Sequence, residues 1–312
     1  MRYAIGIDTG GTTIKAAIVD ENGLVCDTHS VPTPADPDRL IDAAEAIVNT
    51  FIERLNAGDV RAGDTTLTLS DVVETVGFDV PGIVDDVNGI AEFSANLGWR
   101  DFPARDRLSE RIGRPVAFGH DVRTGALAES HWGSGYKDFF FIAIGTGIAT
   151  VLVLDGTPIS TGGWIGELGQ IPTPGDDGEI VALEQVCGAA AIARRAHARG
   201  IVPENAGAEE VYALYDAGNP EAADVIHSAI NALTDALAPI VAAVGPIPIV
   251  LGGGLANRGQ DLIDQVHAEL DAALGIIPTP DIEVAQLGSW AQAQGAALRA
   301  LMNEDHSEGH CL

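Results

Sequence analysis

The sequence predicts an α/β protein of two domains closing on a cleft, built by duplication of one strand-turn-strand unit. Three observations carry that expectation. Residues 3–20 read as an apolar strand, the turn Thr9-Gly10-Gly11-Thr12-Thr13, and a second apolar strand. Residues 139–155 repeat the order, with Gly145-Thr146-Gly147 as the turn and Asp155-Gly156 where the first unit has Asn22-Gly23. The chain has 312 residues, 46% of them hydrophobic, which is enough apolar material for two cores.

Each element follows from local pattern. The Asn22-Gly23 turn leads into a third strand at 24–31, so the chain opens as a meander. Asp36-Pro37 caps a helix to about residue 57, with Leu40, Ile41, Ala44, Ile47, Val48, Phe51 and Ile52 on one face. Residues 72–80 form the next strand, which Pro81-Gly82 ends. A strand at 115–121 finishes in Asp121 and feeds a helix at 123–131. Beyond the second glycine turn, helical spacing covers 183–199 and 224–244, and Pro239 is expected to bend the latter or end it early. Gly252-Gly253-Gly254 follows a strand at 247–250 and precedes a helix at 258–274. A helix at 291–302 leads to a polar tail at 303–312, expected to be mobile; His306 and His310, near Cys311, are read as tail residues and not as a metal site. The small domain is placed at 1–118, with the last helix (about 290–303) packing back on it, and the large domain at 119–289.

Composition excludes some classes. The net charge of −28 comes from 45 acidic against 17 basic residues, and Lys15 and Lys137 are the only lysines. Such a surface repels nucleic acid and anionic lipid. It also repels ATP, so a nucleotide site must rely on backbone N–H groups and a divalent cation. No uninterrupted apolar run approaches the roughly 20 residues of a membrane span, and the start of the chain lacks the basic-then-apolar pattern of a signal peptide. A cytoplasmic location is expected, with no nucleic-acid or membrane partner. Cys26, Cys187 and Cys311 are few, far apart and odd in number, which argues against a disulfide framework or a metal cluster.

The chemistry is expected at the turns. Gly10 and Gly11 let the backbone bend sharply and aim its N–H groups at a ligand, and the flanking threonines add hydroxyls, which together make a cradle for phosphate oxygens. Asp8, at the carboxyl end of a buried strand, is placed to hold Mg²⁺, usually through water. Gly253 and Gly254 are expected to face the nucleotide with the helix that follows them. Phosphoryl transfer to an alcohol needs a base for the hydroxyl proton, and Asp121 is the candidate; it also reads as the N-cap of its helix. Ser94 to Trp99 combine hydroxyl, amide and aromatic groups suited to a sugar. The glycine-rich loop at 162–170 carries Glu167 and Gln170, and Glu184 opens the helix beyond.

Taken in order, DTGGTTIK (8–15), VPGIVD (80–85), NLGW (96–99), GHD (119–121), IGTGI (144–148), GELGQ (166–170), LEQVCG (183–188) and LGGG (251–254) resemble the ROK-family sugar kinases over essentially the whole chain. The resemblance implies the actin-like, ribonuclease H-like fold, ATP as donor, Mg²⁺, a homodimer, and a hexose phosphorylated at its primary hydroxyl. It implies Asp121 as base and Asn96, Glu167 and Glu184 as sugar contacts. Gly10, Gly11, Thr12, Thr146, Gly147 and Gly253 are the implied nucleotide contacts, with Lys15 and Gly254 in the same motifs. Two positions depart from the family pattern. His120 stands where the family usually has Asn, and Gln170 where it has a histidine that touches the sugar and binds zinc. Residues 171–182, IPTPGDDGEIVA, replace the Cys-rich loop, so no structural zinc site is expected. His120 and Gln170 are expected to contact the acceptor and change its hydroxyl pattern, which adds an amino sugar or a cyclitol to glucose as candidates. The alternative is a non-catalytic sugar-sensing ROK protein or regulator. Regulators of the family carry an N-terminal helix-turn-helix extension, whereas here the phosphate loop begins at residue 8 and the charge opposes DNA.

Overall fold

The computed structural model describes residues 1–94 and 97–307, without the side chains of 304–307. The chain begins with β1 (Tyr3–Thr9), β2 (Thr13–Asp20), β3 (Val25–Pro32), α1 (Pro37–Ala57), β4 (Arg61–Ala62), β5 (Thr65–Thr66) and β6 (Val72–Val80). There follow β7 (Ile83–Asp85), β8 (Ile90–Ser94), β9 (Trp99–Phe102), α2 (Ala104–Ile112), β10 (Val116–His120), α3 (Asp121–Trp132), β11 (Phe139–Ile144), β12 (Ile148–Leu154) and β13 (Thr157–Pro158). The remainder is β14 (Pro172–Pro174), β15 (Ile180–Ala182), α4 (Glu184–Cys187), α5 (Ala189–Ala198), α6 (Ala208–Asp216), α7 (Pro220–Val244), β16 (Ile249–Gly252), α8 (Gln260–Leu274), β17 (Ile282–Val284) and α9 (Ala291–Ser307).

Contacts divide the chain into two units. Unit 1 is Met1–Gly135, Gly156–Ile165 and Ser289–Leu312; unit 2 is Tyr136–Asp155 and Gly166–Gly288. The boundary expected after residue 118 falls inside unit 1, because α3 packs along α9 before the chain leaves.

The sheet of unit 1 has the order β10-β6-β1-β2-β3, with β6 and β10 parallel to β1 and the β1–β2–β3 meander antiparallel. Strands buried on both faces read as continuous apolar runs, and every residue of β1 is buried. One face is covered by α1 through Leu40, Ile41, Ala44, Ile47, Val48 and Phe51. The Asp36 side chain caps that helix by accepting from Arg39 N–H at 3.0 Å. On the other face lie Ala293, Ala297 and Ala300 of α9. Their backbone lies so close that a Cβ on Gly77 would sit 1.9 Å from the Ala296 carbonyl, and one on Gly6 2.0 Å from that of Ala293.

Unit 2 repeats the plan. Its strands run β12-β11-β16-β17, an antiparallel hairpin with β16 beside β11 and β17 beside β16, both pairings parallel. Helices α5 to α8 bury Ile192, Val211, Ile226, Leu233, Val266 and Leu270 around it. The helical pattern at 183–199 is two helices, because Gly188 is extended (φ −66°, ψ 151°) where a Cβ would lie 2.8 Å from the Thr146 carbonyl. By contrast α7 continues through Pro239 to Val244. Pro239 and Asp235, the carbonyl that loses its helical partner, both face solvent, where water supplies the donor. The helix expected from residue 258 starts as a 3-10 turn at Gly254–Arg258, and α8 begins after Gly259 at φ +62°. The expected tail is helical as far as Ser307; the His306 side chain, His310 and Cys311 lie outside the described residues. Among the described residues α7 is the helix long and apolar enough to cross a membrane, yet its Val225, Ile226, Ile230, Leu233 and Leu237 are packed in the core of unit 2.

The seating of α9 is tested by Gly77→Ala. The added methyl meets backbone, so the variant should lose about 1–3 kcal/mol of stability. Gly11→Ala, whose Cβ meets nothing within 4 Å, should stay within about 0.5 kcal/mol of wild type. Equal thermal midpoints for the two variants would contradict the packing described.

Candidate active site

In unit 1 the strand register gathers acidic groups. Asp8 pairs with Asp79 across β1 and β6, and Asp79 pairs with Gly119 across β6 and β10, one residue before the His120-Asp121 junction. All three strands present their carboxyl ends on this side, the usual ligand-facing end of a parallel sheet. Asp8 is 8% exposed and its Oδ1 has no hydrogen-bond partner among the described residues. Burial first, then the charges of Asp121 and Asp79, push its pKa well above the ordinary carboxylate range, against the pull of Lys15. Asp79 is fully buried, and burial raises its pKa to about 7 although Arg299 and the Thr124 hydroxyl favour the ionised form.

Asp121 begins α3 and is less enclosed, with a side chain 19% exposed. Its Oδ1 accepts from Val122 N–H at 2.7 Å. The N-cap expected at Asp121 is His120 instead, whose Nδ1 accepts from Arg123 N–H at 3.3 Å, because Asp121 already has helical backbone. Burial, with the Arg123 charge adding to it, lowers the His120 pKa to about 3. The ring is therefore neutral at physiological pH, and with Nδ1 accepting, its proton sits on Nε2. The 3.3 Å approach of Nδ1 to Asp121 Oδ1 is then no ion pair. Thr124 links the groups: its hydroxyl donates to Asp79 Oδ2 and lies 2.9 Å from the Asp121 carbonyl.

Basic groups surround the carboxylates. Arg299 of α9 donates to the Phe118 carbonyl at 2.6 Å and approaches Asp86 at 3.6 Å. Arg123, 4% exposed, donates to the Val84 carbonyl at 3.1 Å, while its Nε and Nη1 have no partner among the described residues. The β1–β2 turn is held by Gly10 N–H to the Thr13 carbonyl at 3.1 Å and by the Thr33 hydroxyl to the Gly10 carbonyl at 2.7 Å, leaving Gly11 and Thr12 exposed. Lys15 donates to the Ser289 carbonyl at 2.9 Å and lies 5.6 Å over the Trp290 ring, which ties it to the C-terminal segment of its own unit. Trp99 is no open platform: it is buried and stacked on Phe102. Asn96 lies outside the described residues.

Unit 2 holds the other expected groups. The β11–β12 turn is closed by Gly145 N–H to the Gly147 carbonyl at 2.9 Å, with Thr146 exposed at its tip. The N-terminus of α5 meets this turn, Ala189 N–H donating to the Gly145 carbonyl at 2.8 Å. Gly253 adopts φ +81°, and a Cβ there would lie 2.5 Å from the Ile144 carbonyl, so only glycine lets the loop after β16 approach the β11 end. Two adjoining cavities share Ala189 and Ala208. One of about 500 Å³ reaches Thr146, Arg194 and Glu204; one of about 180 Å³ reaches Gly254, Tyr212 and Arg258. The Thr146 turn thus opens onto space of the size that small ligands occupy, and Gly254 lines the smaller cavity beside it. The Gly166 carbonyl, preceding Glu167, accepts from Thr150 N–H at 2.9 Å. Gln170 donates to Glu184 Oε1 at 2.8 Å, and Glu184 Oε2 accepts from Ile148 N–H at 3.4 Å.

Comparison with known proteins places the chain in a family. The chain matches the ROK family over residues 4–303. It belongs to that family. A glucokinase of Halalkalibacterium halodurans is 29% identical over 332 aligned positions, covering 98% of this chain and 97% of that protein. An N-acetyl-D-glucosamine kinase of Haemophilus influenzae is 28% identical over 316 positions, covering 94% and 97%. The crystal structure of a ROK family glucokinase from Streptomyces griseus, in complex with glucose and AMPPNP, superimposes with a TM-score of 0.79 at 26% identity, over 96% of this chain and 99% of that one. The fold is that of the actin-like ATPases, and this ROK protein is an ATP-dependent sugar kinase.

Sequence reasoning missed Asp79, Arg123, Thr124 and Arg299. A signal was present for Asp79, a lone acid in the apolar end of β6, Val76-Gly77-Phe78-Asp79-Val80. Its ionisation gives a pH prediction. Folded, Asp79 keeps a proton up to about pH 7; unfolded, only up to its ordinary value of 3.8. Its contribution to stability is present below the unfolded value and lost as pH rises through about 7. Asp79→Asn, neutral throughout, should therefore gain thermal midpoint relative to wild type between about pH 5 and pH 8, by roughly 2 °C or more. A difference between the two proteins that does not change with pH would contradict this.

Proposed function

We propose that this ROK kinase transfers the terminal phosphoryl group of ATP to a hydroxyl of a hexose or hexose-like acceptor (glucose, an amino sugar or a cyclitol), with Asp121 as the base. One observation carries the assignment: of the three carboxylates at the strand ends, Asp8 and Asp79 are buried and Asp121 is partly open. Only a carboxylate open to a ligand can accept an alcohol proton. Val122 N–H holds one Asp121 oxygen in place, and the Thr124 hydroxyl, placed between Asp79 and the first turn of α3, fixes the helix end that presents it.

Neutral His120, buried beside Asp121 with its proton on Nε2, stands where the family usually has an amide and is assigned to the acceptor side of the site. Glu167, Gln170 and Glu184 supply further polar contacts, the last two already joined to each other. The glycine and threonine positions assigned to the nucleotide are Gly10, Gly11 and Thr12 in unit 1 and Thr146, Gly147, Gly253 and Gly254 in unit 2. Asp8, with its unpartnered buried oxygen, suits a hydrated Mg²⁺. When bound, Mg²⁺ would neutralise phosphate charge beside a strongly acidic protein.

The test is ADP release over a panel of hexoses, amino sugars and cyclitols, for wild type and Asp121→Asn. Loss of a general base should lower kcat roughly 10²- to 10⁴-fold, with acceptor KM changed little and the thermal midpoint preserved. Wild-type turnover by Asp121→Asn, or no stimulation of wild type by any acceptor, would refute the assignment.

A further inference from the structure

We infer that Arg195 is a positioning residue for acceptor recognition, fixing Gln170 and Glu184 through Asp176 at the tip of the hairpin that joins them. The inference rests on the reading above in giving Gln170 and Glu184 to the acceptor. Those two side chains are bonded to each other, and the chain between them is the β14–β15 hairpin. Its ladder is three residue pairs long, Pro172 with Ala182, Thr173 with Val181 and Pro174 with Ile180. A two-stranded ribbon of that length does not hold its own shape in water. Ile180 points into solvent at 66% exposed, and a cavity of about 330 Å³ lies against the hairpin, lined by Gly175, Asp176, Glu179, Val181 and Gln185 together with Arg195. Of the six ladder residues Thr173 is the buried one, so core packing holds the hairpin at its middle and leaves its tip to other contacts.

Beyond its own backbone bonds and the Leu183 N–H to Ile171 carbonyl bond at 2.9 Å, the hairpin is tied to the helices of unit 2 chiefly through the Arg195 guanidinium. Arg195, 7% exposed on α5, donates from Nε to Asp176 Oδ2 at 3.0 Å and from Nη2 to Asp176 Oδ1 at 2.6 Å. Its Nη1 donates to the Val186 carbonyl at 2.8 Å, two residues beyond Glu184 in α4, and Nη2 also reaches Ser228 Oγ of α7 at 2.6 Å. Arg199 adds a bond to Asp176 Oδ1 at 2.8 Å. The same side chain thus grips the tip of the hairpin and the helix turn carrying Glu184, and anchors both to α5 and α7. The pairing of carboxylate with both arginines holds the Asp176 carboxyl below the usual range, as a tightly bonded partner requires. Lysine keeps the charge but cannot reproduce a planar fork aimed at three groups. With the fork lost, the hairpin is free to shift toward the adjoining cavity and to carry Gln170 away from Glu184.

The experiment measures steady-state kinetics for wild type, Arg195→Lys, Asp176→Asn and the double variant, with the best acceptor from the panel and with ATP. Each single variant should raise acceptor KM roughly tenfold or more, the scale of a lost charged hydrogen bond, with kcat and ATP KM within about threefold. The double variant should raise it by less than the product of the two single effects, because the two side chains share one contact. Acceptor KM unchanged in Asp176→Asn, the milder substitution, or equal losses in kcat and both KM values, would overturn the inference while leaving the kinase assignment standing. A wild type that phosphorylates nothing in the panel would overturn both.

Discussion

Three parallel strands that end in register force their last side chains together, and much of unit 1 is arranged around the result. The pairing of Asp8 with Asp79, and of Asp79 with Gly119, places two acids side by side and a third just beyond them. Like charges so close cannot all ionise without compensation. The chain answers with Arg299 from its last helix, Arg123 from α3, and a threonine hydroxyl. It also answers with space: the Asp79 carboxylate sits where a side chain at residue 119 would be, a Cβ there lying 2.7 Å from Oδ1. Gly119 is thus required by the acid beside it.

The two units share a plan but support their glycine turns differently. In unit 1 the turn is held from the side by Thr33, after the third strand of the meander. In unit 2 it is held from below by the start of α5 and by Glu184, whose Oε2 would lie 2.4 Å from a Cβ on Gly147. Duplication supplied the loop, and each half found its own local means of rigidifying it. Both turns present backbone groups at their tips, and in unit 2 Arg194 and Arg258 line the cavities beside them, in a chain with two lysines and a net charge of −28.

What the sequence made legible follows from how local each signal is. The β1–β2 hairpin and the α1 helix with its Asp36 cap rest on contacts within a few residues, and each could be read directly. The same holds for Asp121 as a carboxylate at the end of a strand. Gly188 hid its break because part of what crowds that position, the Thr146 carbonyl, is distant in sequence. His120 was hidden as a cap because histidine is an uncommon one, while the neighbouring aspartate looked the part. Asp79 and its partners were illegible as a group, since their link is strand register and the return of α9. Arg195 was equally hidden, its partners Asp176, Val186 and Ser228 lying on three separate elements.

The return of α9 has a consequence for how the protein is made. The helix that closes one face of the first sheet, and brings Arg299 to the acids, leaves the ribosome after every strand and helix of unit 2. Unit 2 has all its strands and helices in hand by Gly288. During translation the second half can therefore consolidate before the first, and the nascent opening meander must wait, one apolar face uncovered, until α9 emerges.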